Sequence, residues 1–167
     1  MKLQTKEVAL LAAYAALYAV LVNIIPGLSF GAVQLRIADC MVAIIPLLGI
    51  AGVLGHTLGV FIGNIPSPLG PIDLLNAVPS FAMALAVYYV YRKTQNDYTV
   101  IGTCTTYSAV LSITVGYMLS YILSLPLVAS IVYVFIGNFV ATVMIGWPLF
   151  KLLKKAGVQR WLDMETT

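Results

Sequence analysis

Three charged residues stand inside otherwise uncharged, apolar stretches, and they are the first candidates for chemistry. Arg36 and Asp39 lie three residues apart, Asp73 follows Gly-Pro-Ile, and no other residue between positions 8 and 91 carries a formal charge. Ionisable side chains at membrane depth are costly and usually face a cavity or a partner. Arg36 and Asp39 therefore form a mutual ion pair on one helix face, one wall of a binding pocket, or both.

Polar side chains that suit a heterocyclic ligand accompany these charges. Asn76 and Ser80 follow Asp73 at i+3 and i+7, so the three share one face of a helix. An Asp and an Asn on one face can hydrogen-bond a flat heterocycle that has several donors and acceptors. The alternative for Asp73 is a carboxylate in a first helical turn, stabilised by the helix dipole.

Further along the chain, three more polar residues lie deep in apolar stretches. Tyr107 and Tyr117 are too far from the ends of their stretch for an interfacial aromatic belt to explain them fully. Asn138 needs either another helix or a ligand as its hydrogen-bond partner. All three are candidates for a substrate-binding site.

Catalysis and metal binding are not expected. His56 is the only histidine, and no second His or Cys lies within metal-ligand spacing, so we expect it to pack between helices. Cys40 and Cys104 are isolated in apolar stretches and are expected to be packing residues. Without a nucleophile–base pair, the sequence predicts a protein that is not an enzyme and that uses no cofactor or metal.

The composition identifies the elements that must position these residues as membrane helices. Of the 167 residues, 61% are hydrophobic and 9% are charged, whereas a soluble domain carries about 25% charged residues. This excludes a soluble enzyme, a disordered chain and a nucleic-acid-binding module. A spanning helix takes about 20 residues, so residues 1–167 are expected to form a single multi-pass membrane domain of about six helices, without an ATPase domain.

The charges at the ends of the apolar stretches predict the number of crossings. Lys2, Lys6, Arg92 and Lys93 should all lie in the cytoplasm, so an even number of crossings separates them. The ambiguous stretch 34–65 must then contain two short helices, with a break near Pro46 or within Gly-Ile-Ala-Gly at 49–52. We predict an all-α bundle of six transmembrane helices with both termini in the cytoplasm, at residues 8–25, 38–48, 52–65, 72–91, 99–123 and 127–153.

Two of these predicted helices carry ridges of small residues. Gly55, Gly59 and Gly63 form a small-xxx-small ridge on the third helix, which allows close helix packing. The first helix repeats the pattern with alanine, and its residues serve either internal packing or the docking of another membrane subunit. The alanines in question are Ala9, Ala12, Ala13 and Ala16.

Two motifs resemble a known family. The run Ser-Phe-Gly-Ala-Val-Gln-Leu-Arg-Ile-Ala-Asp at 29–39 and Gly-Pro-Ile-Asp at 70–73 resemble the queuosine-precursor transporter (QueT) family. Its members are the substrate-binding S components of energy-coupling factor (ECF) transporters. The resemblance extends to chain size, the six short helices and the alanine motif. Asp39 stands where the family pattern has Glu, so its carboxylate is one methylene shorter.

The resemblance implies a mechanism and a ligand. An S component binds its substrate from outside, in a pocket closed by the loop after the first helix. It docks through its alanine-bearing helix on a transmembrane scaffold subunit that two cytoplasmic ATPase subunits drive. The ligand would be a 7-deazaguanine, in its 7-cyano or 7-aminomethyl form. Gln34 joins the site through its motif, one of Asp39 and Asp73 binds the base edge, and Tyr107 or Tyr117 stacks on the ring.

Two other functions remain alternatives. An S component for another vitamin or nucleobase would keep the fold and change the ligand. A solitary facilitator or channel would work in the cell membrane without ATPase partners, although no convincing inverted repeat between the two halves supports a self-contained transporter.

Overall fold

The computed structural model describes residues 4–31 and 34–158, which fold into an all-α bundle without a strand in this part of the chain. Two 3-10 helices, Ile37–Ile44 and Gly70–Asn76, lead into α3 and α4, and a π-helix, Val140–Ile145, joins α6 to α7. The α-helices are α1 (Thr5–Ile24), α2 (Pro26–Ser29), α3 (Ile45–Gly63), α4 (Ala77–Thr94), α5 (Tyr98–Leu123), α6 (Leu127–Phe139) and α7 (Gly146–Lys155).

Five continuous helical segments of the described chain are long and apolar enough to cross a membrane. They are Thr5–Ile24, Ile37–Gly63, Gly70–Thr94, Tyr98–Leu123 and Leu127–Lys155. All but the second match one predicted helix each. The prediction of an all-α, multi-pass membrane protein is therefore confirmed.

The second segment, Ile37–Gly63, bends sharply within its length. Gly49 has φ 66° and ψ −150°, a non-helical conformation that glycine adopts without the steric cost of a Cβ. In a straight helix, residues seven apart are separated by about 10 Å. Here a Cβ added at Gly52 would lie only 3.4 Å from the Cα of Ile45, so the chain folds back. The break lies at Gly49, within the stretch where the sequence predicted a boundary between two short helices.

The predicted glycine ridge of α3 packs directly on α1. A Cβ added at each glycine would meet a side-chain Cβ of α1, and the contacts advance together along both helices. The distance between the added Cβ and the Cβ on α1 would be 3.0 Å for Gly55 and Tyr14, 2.8 Å for Gly59 and Tyr18, and 3.4 Å for Gly63 and Val22. The two helices are therefore parallel along this contact. Since Ile37–Gly63 counts as one of the five candidate spans, the six crossings required by the charges stay a prediction.

Lysines at the end of α7 cluster with Asp97 and form a basic end of the bundle. Asp97, between α4 and α5, accepts hydrogen bonds from Lys154 and, at 2.9 Å, from Lys151 at the end of α7. At the opposite end of α4, Asn64 from the end of α3 donates to the Asp73 carbonyl oxygen at 3.0 Å. The assignment of the basic end to the cytoplasm stays a prediction from the positive-inside rule. Both chain termini, with Lys2 and Arg160, lie outside the described residues.

Candidate ligand-binding site

A small polar cavity lies between the helices, displaced from the basic end of the bundle. Its free volume is about 10 Å³, roughly the room of one water molecule. The walls come from α1, the first 3-10 helix and the residues before it, α4, α5 and α6. The lining residues are Tyr18, Gln34, Arg36, Asp39, Ser80, Tyr107, Leu111, Val115 and Asn138.

Asp39 places a buried carboxylate at this cavity. Its side chain is in the first turn of the 3-10 helix Ile37–Ile44 and is only 4% exposed. The Tyr18 hydroxyl donates to Asp39 Oδ1 at 2.5 Å. A carboxylate offers about four lone-pair positions on two oxygens, so Asp39 retains acceptor capacity for a donor in the cavity.

Arg36 pairs with Asp73 rather than with Asp39. Its Nη2 donates to Asp73 Oδ2 at 3.2 Å, and its Nε donates to the Ser29 carbonyl oxygen at 3.1 Å. The interpretation of Arg36 and Asp39 as a mutual ion pair is therefore wrong. The i, i+3 rule presumes a helix, whereas Arg36 has an extended backbone with ψ 98° just before the helix begins.

Asp73 lies behind the cavity wall, with both of its carboxylate oxygens occupied. Asn76 Nδ2 donates to Oδ1 at 2.6 Å, while Oδ2 accepts from Arg36. Neither Asp73 nor Asn76 lines the cavity, although both are buried. Of the polar face predicted from Asp73 to Ser80, only Ser80 reaches the cavity.

Two polar atoms of the cavity-lining residues have no hydrogen-bond partner in the described chain. They are Gln34 Nε2 and Ser80 Oγ, both fully shielded from solvent. Leaving a buried donor or acceptor unpaired costs about 1–3 kcal/mol. Gln34 also has φ 45°, the left-handed region that is sparsely populated by residues other than glycine. Unpaired polar atoms and local backbone strain are both typical of a ligand site.

The two predicted tyrosines occupy different environments. Tyr107 is 1% exposed and lines the cavity, whereas Tyr117 is 63% exposed and lies outside it. Ten residues at 100° each amount to 1000°, so the two side chains point about 80° apart around α5. Asn138 is buried and lines the cavity, as proposed from the sequence.

Other residues of the site could not be assigned from the sequence. Tyr18 stands among the aliphatic residues of α1, and its only sequence signal is the i, i+4 spacing from Tyr14 on the face that becomes buried.

His56, predicted to be a packing residue, is fully buried between Tyr14 and Tyr107, which confirms the prediction. Cys40 and Cys104 are buried packing residues as well.

The four alanines proposed for docking lie together on the exposed face of α1. Ala9, Ala12, Ala13 and Ala16 are exposed, whereas Tyr14 and Tyr18 on the opposite face are buried against α3. Internal packing in the described bundle therefore does not use these four alanines. They face lipid or another membrane protein.

The all-α bundle with its long apolar helices defines a class, the multi-pass membrane proteins. Its buried polar cavity is a candidate site for a small molecule. The QueT transporter family matches the chain over residues 8–155, nearly its whole length. The protein belongs to the QueT transporter family, as the resemblance of its motifs indicated. No curated protein and no solved structure matches the chain.

Proposed function

We propose that this protein is the substrate-binding S component of an ATP-driven ECF importer and that it captures a 7-deazaguanine precursor of queuosine from outside. Family membership supports the transport role. The observation that carries the ligand assignment is the Asp39 carboxylate at a closed cavity, beside the unpaired Gln34 Nε2 and Ser80 Oγ. These groups offer an acceptor, a donor and a hydroxyl that serves as either.

The positions of the two aspartates favour Asp39 as the residue that accepts hydrogen bonds from the edge of the base. A guanine-like edge presents a ring N–H and an exocyclic amine, two donors that suit a carboxylate acceptor. Asp39 lines the cavity, whereas Asp73 is held behind the wall by Arg36 and Asn76. Gln34 Nε2 is the donor we assign to the ligand's carbonyl oxygen.

Ligand entry requires movement, because a two-ring heterocycle needs far more room than about 10 Å³. We propose that residues 34–36 move to admit the ligand. Bonds from Arg36 to Asp73 and to the Ser29 carbonyl oxygen hold this segment, and Gln34 bears its backbone strain. A minor open population of this kind is selected when ligand binds.

Calorimetry of the purified protein tests the ligand assignment. We expect 7-cyano- or 7-aminomethyl-7-deazaguanine to bind, and guanine, riboflavin and biotin to bind weakly or not at all. Asp39→Asn should weaken binding by about 10- to 150-fold, the loss of a hydrogen bond to a charged group worth 1.5–3 kcal/mol. Asp97→Asn, at the other end of α4, is the matched control and should bind like wild type.

Each negative result has a distinct meaning. Folded wild-type protein that binds neither deazaguanine would rule out the substrate and return the search to other vitamins or nucleobases. Binding by Asp39→Asn at wild-type affinity would instead rule out Asp39 as the base-edge acceptor.

Co-purification tests the proposed docking of α1 on a scaffold subunit. Small residues allow close helix approach, so Ala12→Phe and Ala13→Phe should abolish recovery of the scaffold and ATPase subunits while ligand binding persists. Val128→Phe, at an exposed position of α6, is the control. Transport by the isolated protein in vesicles without ATPase subunits would contradict the proposal and favour a solitary facilitator.

A further inference from the structure

His56 lies at the centre of a buried chain of hydrogen bonds that ends at the cavity. Its Nδ1 is 3.4 Å from the Tyr14 hydroxyl, and its Nε2 is 3.1 Å from the Tyr107 hydroxyl. The imidazole is fully buried, and Tyr14, Tyr18 and Tyr107 present their rings to it at steep angles. Tyr14 does not line the cavity, whereas Tyr107 does.

The chemistry of the three groups determines the direction of these hydrogen bonds. Tyr14 is 3% exposed, and its hydroxyl has no other partner in the described chain, so its proton must go to His56 Nδ1. A neutral imidazole carries one N–H, which leaves the proton on Nε2. His56 Nε2 therefore donates to the Tyr107 oxygen.

The direction of these hydrogen bonds determines where the Tyr107 hydroxyl donates its proton. Because the oxygen accepts from His56, the hydroxyl cannot donate back to the same nitrogen. Its O–H is left to donate into the cavity, where Ser80 Oγ is the nearby group without a hydrogen-bond partner in the described chain. Had the imidazole carried its proton on Nδ1, Tyr107 would donate to His56 and offer the cavity only lone pairs.

We propose that Tyr14 and His56 fix the Tyr107 hydroxyl as a hydrogen-bond donor towards the cavity, where it binds an acceptor atom of the ligand, a carbonyl oxygen or an unprotonated ring nitrogen. His56 is a positioning residue in this assignment, because it acts on the ligand only through Tyr107. The cavity then offers both kinds of group to a ligand, with Asp39 as acceptor and Tyr107 and Gln34 Nε2 as donors. The assignment rests on the proposed function for the presence of a ligand, but the direction of the hydrogen bonds does not.

Nitrogen NMR of the imidazole tests the direction without any ligand. The chain contains one histidine, so protein purified through a histidine-free tag and labelled with ring-¹⁵N histidine gives a single pair of resonances. We expect a protonated Nε2 and an unprotonated Nδ1 in wild type. Tyr14→Phe removes only the donor hydroxyl and should shift the population towards the other tautomer. A wild-type spectrum of the Nδ1–H tautomer or of imidazolium at neutral pH overturns the proposal.

A binding cycle with 7-cyano-7-deazaguanine as the probe tests the effect on the ligand. Tyr107→Phe should weaken binding by about 2- to 12-fold, the loss of one hydrogen bond between neutral groups. Tyr14→Phe should weaken binding in the wild-type background and have no further effect in the Tyr107→Phe background. Tyr117→Phe, on the outer surface of α5, is the control and should bind normally.

The outcomes separate this inference from the proposed function. Additive losses from Tyr14→Phe and Tyr107→Phe, with both variants folded, would show that Tyr14 does not act through Tyr107 and would overturn the inference. A probe that does not bind wild type contradicts the proposed substrate, and the NMR spectrum still decides the orientation of the Tyr107 hydroxyl.

Discussion

Arg36 forms its ion pair with Asp73, 37 positions along the chain, and not with Asp39, which is three positions away. The same guanidinium donates to the Ser29 carbonyl oxygen and lies 5.2 Å from the centre of the Phe30 ring. One side chain thus connects the end of α2, the start of the first 3-10 helix and the residues that lead into α4. This arrangement leaves Asp39 without an ion pair among the described residues, at the wall of the cavity.

Removal of the Asp73 charge should destabilise the protein strongly. Both members of the pair are almost completely buried, and loss of one partner leaves the other charge unpaired, which costs about 3–5 kcal/mol. We expect Asp73→Asn to melt well below wild type in detergent. The double variant Arg36→Gln with Asp73→Asn should recover part of the loss, since no charge then remains. Equal melting temperatures for Asp73→Asn and wild type would show that the pair contributes little.

The Asp97 cluster should make a smaller, pH-dependent contribution to stability. Partial burial alone would raise the pKa of Asp97, but hydrogen bonds from Lys154 and Lys151 outweigh it and lower the pKa below 3.8. The stabilisation is therefore present above pH 3.8 and is lost as the pH falls through the lowered pKa. Because the cluster is partly exposed, we expect less than about 1 kcal/mol at neutral pH.

Melting curves of Asp97→Asn and wild type across pH test whether the stabilisation by Asp97 is lost in acid. The two proteins should differ slightly at neutral pH and converge in acid, and added salt should reduce the difference. A difference that grows as the pH falls would contradict the assigned direction.

Substitution of Gly59 should disturb both the packing of α1 and the cavity. A Cβ there would lie 2.8 Å from the Cβ of Tyr18, so the helices must separate. We expect Gly59→Ala to cost about 1–3 kcal/mol by overpacking and to weaken ligand binding, because Tyr18 holds Asp39. Gly102→Ala is the control, since nothing lies within 4 Å of its added Cβ. Its stability should equal or exceed that of wild type, as alanine favours a helix by about 1 kcal/mol.

Features that depend on local sequence could be predicted. Glycine spacing on α3 indicated a close helix contact, and charge placement required a break that the structure has at Gly49. Asp39 and Tyr107 were candidates because polar groups in apolar stretches usually face a cavity. Each of these inferences uses a helix period, a steric property of one residue type or the cost of a buried charge.

Features that depend on contacts between distant segments could not be predicted. The partner of Arg36 comes from another part of the chain, and its backbone is extended where the i, i+3 rule presumes a helix. Tyr18 was not a candidate because only the packing of α1 on α3 shows which of its residues meet the cavity. Likewise, the hydrogen bonds of His56 involve residues 42 and 51 positions away.

Cysteine labelling in intact cells can determine which end of the bundle faces the cytoplasm. Asn96 lies at the basic end, between α4 and α5, and Ser124 lies beyond the opposite end of α5; both are exposed. We expect Ser124→Cys to react with a membrane-impermeant maleimide from outside, and Asn96→Cys to react only after the cells are permeabilised. Wild type is the control, because Cys40 and Cys104 are buried. Labelling of Asn96→Cys from outside would invert the topology and place the Asp39 cavity towards the cytoplasm, which an importer's receptor for outside ligand does not allow.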